Sequence, residues 1–199
     1  MRVVLIWGAL ALAVATPIFA AANSPLLQWR DPIYIIAGFA GIIGMALMLL
    51  QPLLVSGVLP GPSPQTSRLL HRTGGAVLVL AVVVHVAGLW ITSPPDVIDV
   101  LLFRSPTPFA IWGALAMWAV FAAALLAGLR GRLPLRAWRW GHTALVSLAV
   151  VGTIIHAIQI LGTMEPITKS LLAILLGAAL VLAIAKRRVW VMGLRARQS

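Results

Sequence analysis

Six long apolar stretches with few or no charges follow one another along the chain. Each is close to the ~20 residues with which an α-helix crosses ~30 Å of hydrocarbon. They are too long, and alternate too little, for membrane-spanning β-strands. The pattern predicts an all-α membrane protein, a bundle of six transmembrane helices. We number these spans 1 to 6; they cover residues 3–22, 32–55, 69–92, 109–129, 138–162 and 167–185.

The connections between the spans are short and rich in proline and serine, which favours turns. None is long enough for a nucleotide-binding βαβ unit of roughly 30 residues. We therefore expect one six-helix domain over residues 1–190, a short basic tail over 191–199, and any soluble catalytic domain on another chain. Span 1 also resembles a secretory signal, but it is long and contains Pro17, so we expect a retained helix.

Composition supports the same class of protein. Hydrophobic residues make up 61% of the chain, charged residues make up 10%, and the mean hydropathy is +1.04. An ordinary soluble domain is roughly 45–50% apolar, so a soluble globular domain and a disordered chain are both excluded. The chain contains no cysteine, which excludes disulfides, thiolate metal sites and iron–sulfur clusters.

The net charge of +11 has a topological explanation. With both termini in the cytoplasm, twelve of the fifteen cations fall on the cytoplasmic side, and all four acids fall on the outer side. This asymmetry follows the positive-inside rule, so nucleic-acid binding is not needed to explain the charge. The three outer cations are Arg30, Arg104 and Lys169; the acids are Asp31, Asp96, Asp99 and Glu165.

The four histidines of the chain form two pairs with the same spacing. His71 and His85 lie on span 3, His142 and His156 lie on span 5, and 14 positions separate the members of each pair. Two residues 14 positions apart on an α-helix point in directions that differ by only about 40°, and they lie about 21 Å apart along the helix axis. Spans 3 and 5 run in the same direction, so His71 and His142 share one depth and His85 and His156 another. We expect two stacked His–His pairs between these spans.

Two facing imidazoles in apolar surroundings suit a six-coordinate haem iron, because the macrocycle supplies the other four nitrogens. A zinc site needs three or four protein ligands, and a di-iron site needs carboxylates; the spans supply neither set. A single intramembrane histidine is often only a helix–helix hydrogen bond or part of a proton relay. Four histidines at one repeated spacing favour two haems.

Neighbouring residues extend this interpretation. Gly75 and Gly152 stand one helical turn from a histidine and would leave room for a flat ring, although such glycines also serve close helix packing. Three arginines near the cytoplasmic pair are candidates for haem propionates, and no buried cation is expected near the outer pair. The second imidazole nitrogens should donate to a backbone carbonyl or hydroxyl, with Ser147 and Thr153 as candidates. The three arginines are Arg68, Arg72 and Arg139.

Residues 68–75, running to His85, and residues 139–142, running to His156, resemble the ferric reductase-like transmembrane family. The family includes ferric reductases, the membrane part of NADPH oxidases and the haem-binding subunit of the methionine sulfoxide reductase system. The resemblance covers about residues 30–190. It implies a six-helix bundle with two b-type haems, the inner one on His71 and His142 and the outer one on His85 and His156. Large members carry a cytosolic flavin and NADPH domain, which this sequence lacks.

The functional hypothesis is electron transfer across a bacterial-type inner membrane, as the membrane subunit of an oxidoreductase. A cytoplasmic donor, a separate flavoprotein reductase, would feed an outer acceptor such as ferric iron, oxygen or a redox protein. A quinol-oxidising cytochrome b is the nearest alternative, with Gln51 and Gln159 as pocket candidates. A haem-free packing or assembly protein and a proton-coupled transporter are further alternatives. Residues 96–103 would form either an interfacial helix over the outer haem or a simple connector.

Overall fold

The computed structural model describes residues 1–187, and it is helical in every major element. The predicted basic tail and the domain boundary at residue 190 lie outside the described residues. Two 3₁₀ turns, Pro25–Leu27 and Arg130–Arg132, occur in connections. The helices are α1 (Arg2–Ala22), α2 (Pro32–Ser56), α3 (Pro64–Thr92), α4 (Pro94–Leu101), α5 (Pro108–Gly128), α6 (Leu135–Gln159) and α7 (Pro166–Arg187).

Proline and a capping side chain together determine where three of the long helices begin. Asp31 accepts the backbone N–H of Ile33 at 2.7 Å, directly before Pro32. Ser63 and Glu165 cap α3 and α7 in the same way, each followed by proline. Proline tolerates the first helical position because the N–H it lacks has no partner there. Two backbone N–H groups hold the pKa of the Glu165 carboxyl below its usual value, since they stabilise the carboxylate.

The bundle consists of two antiparallel helix pairs joined by α7. In the first pair, α2 packs along α3, with Gly88 beside Ala37 near one end and Gly74 beside Gln51 near the other. In the second pair, α5 packs along α6. Helix α7 contacts both α2 and α6, and its Leu172 and Leu176 are fully buried. Helix α1 is peripheral and packs on α2 and α7.

Charges separate to the two ends of this bundle. We call the end that carries Arg68, Arg72, Arg130, Arg136 and Arg139 the basic end, and the end that carries the four acids the acidic end. Trp7 donates its indole N–H to the carbonyl of Pro60 at 3.0 Å, which brings the start of α1 to the α2–α3 connection at the basic end. The helices of the six spans therefore alternate in direction, as the sequence predicts.

Among residues 1–187, six helices are long and apolar enough to cross a membrane, so the protein is an integral, multi-pass membrane protein. They confirm the six predicted spans, with the largest difference at α3, which begins at Pro64 instead of residue 69. Most of residues 96–103 are helical, and their role as an interfacial helix over a haem stays a prediction. Helix α4 occupies Pro94–Leu101 and buries Val97. Whether α1 is retained in the mature protein stays a prediction.

Gly88→Ala should destabilise the α2–α3 pair. An added Cβ would lie 2.8 Å from the Ala37 Cβ and 3.3 Å from the Ile33 carbonyl oxygen, so the helices must separate. Overpacking of this kind costs about 1–3 kcal/mol. We expect a lower thermal unfolding temperature in detergent than for Gly8→Ala, where nothing lies within 4 Å of the added Cβ. Equal unfolding temperatures would contradict this close approach.

Candidate functional site

The candidate site is a cleft between α3 and α6, which do not pack closely against each other along the described residues. At the acidic end the cleft widens into a cavity of about 270 Å³. Helices α2 and α5 supply its side walls, and α4 and the α6–α7 connection line its acidic end. Its polar or ring-bearing lining residues are Tyr34, His85, Phe109, Thr153, His156, Thr163 and Lys169.

The two histidines of this cavity are oriented by backbone carbonyls of the neighbouring helices. His85 Nδ1 lies 2.7 Å from the carbonyl oxygen of Ala37 on α2, and His156 Nδ1 lies 2.9 Å from that of Phe109 on α5. A carbonyl oxygen only accepts, so Nδ1–H must donate in both cases. Nε2 then carries the lone pair in each neutral imidazole. This is the arrangement by which proteins prepare histidine as a metal ligand.

Two glycines let these imidazoles approach the neighbouring helices. A Cβ on Gly41 would lie 3.0 Å from His85 Nδ1, and a Cβ on Gly113 would lie 2.7 Å from His156 Nδ1. Each glycine stands four residues after the residue whose carbonyl accepts the imidazole N–H. The same local device, a carbonyl and a glycine one turn later, therefore holds one histidine on each helix pair.

The second histidine pair lies at the basic end. The ring centroids of His71 and His142 are 6.4 Å apart, and their planes are inclined at 78°. When two imidazoles bind one ion from opposite sides, the distance between their ring centres is two metal–nitrogen bonds of about 2 Å each plus the distance from each nitrogen to its ring centre. The sum is roughly 6 Å. The separation therefore fits one metal ion between the two rings.

His142 is held on its other side by aromatic stacking. The Trp138 ring lies 5.4 Å away and nearly parallel, at 10°, and Trp138 donates its indole N–H to the Leu126 carbonyl at 3.1 Å. The guanidinium of Arg130 lies over the same indole at 5.1 Å. His142 Nδ1 is buried without a well-formed hydrogen bond, although the Ala123 carbonyl faces it from α5.

These contacts fit a ring-shaped metal cofactor better than a bare ion. No group of three or more His, Asp or Glu side chains that could bind a metal ion occurs among residues 1–187. Each pair supplies two imidazoles at its own level, and an apolar cavity lies between the helices at the level of His85 and His156. A macrocycle would complete the coordination of an ion that the protein holds from two sides. The residues present therefore fit haem.

One expectation about the acidic end is wrong. The sequence predicted no buried cation beside the acidic-end histidine pair, but Lys169 is only 5% exposed and lines the same cavity as His85 and His156. Its ammonium donates to the Ile160 carbonyl at 2.8 Å. The error arose because Lys169 was assigned to the outer surface, whereas the first turn of α7 directs it inward.

The proposed hydroxyl acceptors are also corrected. Ser147 donates to the Thr143 carbonyl of its own helix at 2.8 Å. Thr153 lines the cavity, but the His156 Nδ1–H donates to Phe109 instead. The imidazoles project away from their own helix and reach the Ala37 and Phe109 carbonyls of the neighbouring helices, which can each accept a second hydrogen bond because a carbonyl oxygen has two lone pairs.

The remaining predicted residues lie near the pairs without contacts to a cofactor that could test them. A Cβ on Gly152 would meet the Trp112 carbonyl at 2.9 Å, so this glycine permits close α5–α6 packing. A Cβ on Gly75 would meet only the Gln51 Oε1, at 3.8 Å. The three arginines predicted to meet propionates are exposed at the basic end; they are Arg68, Arg72 and Arg139.

Four residues of the site were not predicted from the sequence, although the sequence contains a signal for three of them. Gly41 belongs to a run of glycines at every third position, 38, 41 and 44, on one helix. Trp138 stands one turn before His142 on α6. Lys169 is a lone cation close to an apolar span, and an ionisable residue in such a position suggests a functional site. Gly113 has no comparable signal, because only the position of the His156 ring distinguishes it.

Comparison with protein families gives one match. The family described as ferric reductase like transmembrane component matches residues 37–153, more than half of the chain. The chain belongs to this family. The matched segment contains Ala37, both histidines of α3 and His142, and it ends shortly before His156 and Lys169. No curated protein and no solved structure matches the chain. Family membership indicates transmembrane electron transfer as the activity of this ferric reductase-like protein.

Gly113→Ala should disturb the acidic-end pair more than Gly41→Ala. The added methyl group lies 2.7 Å from His156 Nδ1 in the first variant and 3.0 Å from His85 Nδ1 in the second. Displacing the ring weakens its hydrogen bond and misdirects Nε2. We expect reduced haem content in purified protein, in that order, and unchanged content in Gly128→Ala, where the added Cβ meets nothing within 4 Å. Full haem content in Gly113→Ala would contradict this role.

Proposed function

We propose that this protein conducts electrons across the membrane through two b-type haems, one at each histidine pair. His71 and His142 would hold the haem at the basic end, and His85 and His156 would hold the haem at the acidic end. The observation that carries the proposal is the pairing of imidazoles at two depths, with Nδ1 of both acidic-end rings committed to backbone carbonyls. The family membership supports the same activity.

Bound haem would supply reversible one-electron chemistry at iron. The residues of the chain would bind and orient it: two imidazoles would hold each iron and leave no site on it for substrate. The apolar walls of the cavity exclude water, and the carbonyls of Ala37 and Phe109 keep the protons on Nδ1. Three exposed arginines at the basic end would meet propionates. They are Arg68, Arg72 and Arg139. Gly75 would give room for a ring, whereas Gly152 packs against α5.

The charge distribution supports a direction for the transfer. By the positive-inside rule the basic end faces the cytoplasm, in a bacterial-type inner membrane. The donor would then be a cytoplasmic reductant, a separate flavoprotein, docking near Trp138 and Arg130. The acceptor would be outside, at the acidic end, and would be ferric iron, oxygen or a redox protein.

One observation favours quinol as an alternative donor. Gln51 on α2 is only 8% exposed, and both polar atoms of its amide are buried without a hydrogen-bond partner. It packs against Gly74, close to His71. An unsatisfied buried amide is suited to a quinone carbonyl or hydroxyl. Gln159, the other candidate, is exposed near the end of α6.

The test uses purified protein from haem-supplied cells. We expect two haems per chain by pyridine haemochrome assay. In liposomes with trapped ferricyanide, external reduced flavin and a flavin reductase should reduce the trapped acceptor. If a quinol analogue alone reduces the trapped acceptor, and Gln51→Leu abolishes this reduction, then the electron donor is quinol and not a flavoprotein. Protein without a Soret band would overturn the proposal and favour a packing or assembly role.

His85→Ala should remove the acidic-end haem and leave much of the basic-end haem, because about 21 Å of helix separates the two levels. The haemochrome assay should fall from two haems per chain toward one, and transfer to the trapped acceptor should stop. Ser147→Ala is the matched control, since this hydroxyl bonds within its own helix. Two haems per chain in His85→Ala would refute the ligand assignment.

A further inference from the structure

Lys169 is a charged residue of the acidic-end cavity whose presence histidine ligation of a metal does not explain. It lies in the first turn of α7, is only 5% exposed and lines the cavity together with His85 and His156. The cavity walls around it are otherwise almost wholly apolar. Ionisable side chains in such surroundings are costly and commonly mark a ligand site.

The local surroundings compensate a charge on this side chain only in part. Its one hydrogen bond among the described residues goes to the Ile160 carbonyl, so two of its three N–H donors remain available. The Glu165 carboxylate, one turn earlier, attracts the ammonium through space but accepts hydrogen bonds from the backbone N–H groups of Ile167 and Thr168. The N-terminal turn of a helix also disfavours a cation, because the macrodipole is positive there.

These facts call for an anionic group inside the cavity. A buried cation is tolerated when a charge-assisted hydrogen bond compensates for its lost hydration. A carboxylate fits best, since it accepts several N–H donors and is itself the polar part of an otherwise apolar ligand. His85 and His156 already donate Nδ1–H to backbone carbonyls, so these N–H groups cannot also bind the anionic group.

We propose that Lys169 binds a carboxylate in the acidic-end cavity and thereby anchors and tunes the group that His85 and His156 hold. The inference rests on the proposed haem function. The carboxylate has two possible sources: a propionate of the haem itself, or a soluble carboxylate that carries the acceptor, such as a ferric chelate. Both require the same cation at the same place.

The test compares three substitutions at this position. Lys169→Gln keeps a donor for the Ile160 carbonyl but removes the charge, and Lys169→Arg keeps the charge. Lys169→Met removes both the charge and the donor, which separates loss of the Ile160 bond from loss of the cation. Lys186→Gln is the matched control, because it removes an exposed lysine from the other end of the same helix.

Two readouts do not depend on turnover. The first is the midpoint potential of each haem by spectroelectrochemical titration, assigned with His71→Ala and His85→Ala. Lys169→Gln should lower only the acidic-end potential, because loss of a nearby cation destabilises the reduced state. The second is haem transfer to a scavenging apoprotein, which should become about ten-fold faster or more when one charge-assisted hydrogen bond is lost. Lys169→Arg should restore both.

Citrate separates the two sources of the carboxylate. Faster haem release without citrate indicates a propionate. Unchanged release, with a citrate-dependent shift of the acidic-end potential in wild type that Lys169→Gln lacks, indicates a soluble carboxylate. If Lys169→Gln and Lys186→Gln both match wild type in every readout, or if Arg and Gln act alike, Lys169 is structural. Two haems per chain in these variants would keep the proposed function intact in that case.

Discussion

The hydrogen bond from an imidazole Nδ1–H to a carbonyl on the neighbouring helix is the interaction on which the site depends. It fixes the tautomer of His85 and His156, directs Nε2 to the cleft and ties α3 to α2 and α6 to α5. The bond needs a carbonyl that a ring can reach, so Gly41 and Gly113 must lack a side chain. In each helix pair, the same hydrogen bond therefore contributes to helix packing and orients the imidazole.

The arrangement of the two pairs creates the cleft. Strong packing within α2–α3 and within α5–α6 leaves α3 and α6 apart, and α7 holds the pairs together through Leu172 and Leu176. In lipid, close contact of small residues drives such pairing, because apolar side chains gain nothing by leaving the hydrocarbon. The space that remains between the pairs is apolar except where the ring-bearing and charged residues enter it. Charge enters this space at Lys169, and that single cation distinguishes the acidic-end cavity from the basic-end pair.

Much of the architecture could be predicted from local sequence, and the predicted spans match the observed helices to within a few residues at most ends. Hydrophobic length defines a membrane helix without reference to its neighbours, since each backbone polar group is satisfied within the helix. The histidine spacing gave two levels for the same reason, because 14 residues return to one face of any α-helix. The acceptors of the imidazole N–H groups could not be predicted, since Ala37 and Phe109 contribute only their backbone.

Local sequence is enough to predict the number of spans, the separation of charge between the two ends and the shared face and depth of each histidine pair. These are properties of one helix and of its length. The three-dimensional packing was needed to show that Gly41 and Gly113 face imidazoles, that Trp138 stacks on His142, and that Lys169 points inward. Each of these depends on the rotation and distance of a neighbouring helix, which arise from the packing of all the helices together and cannot be calculated from the local pattern of one helix.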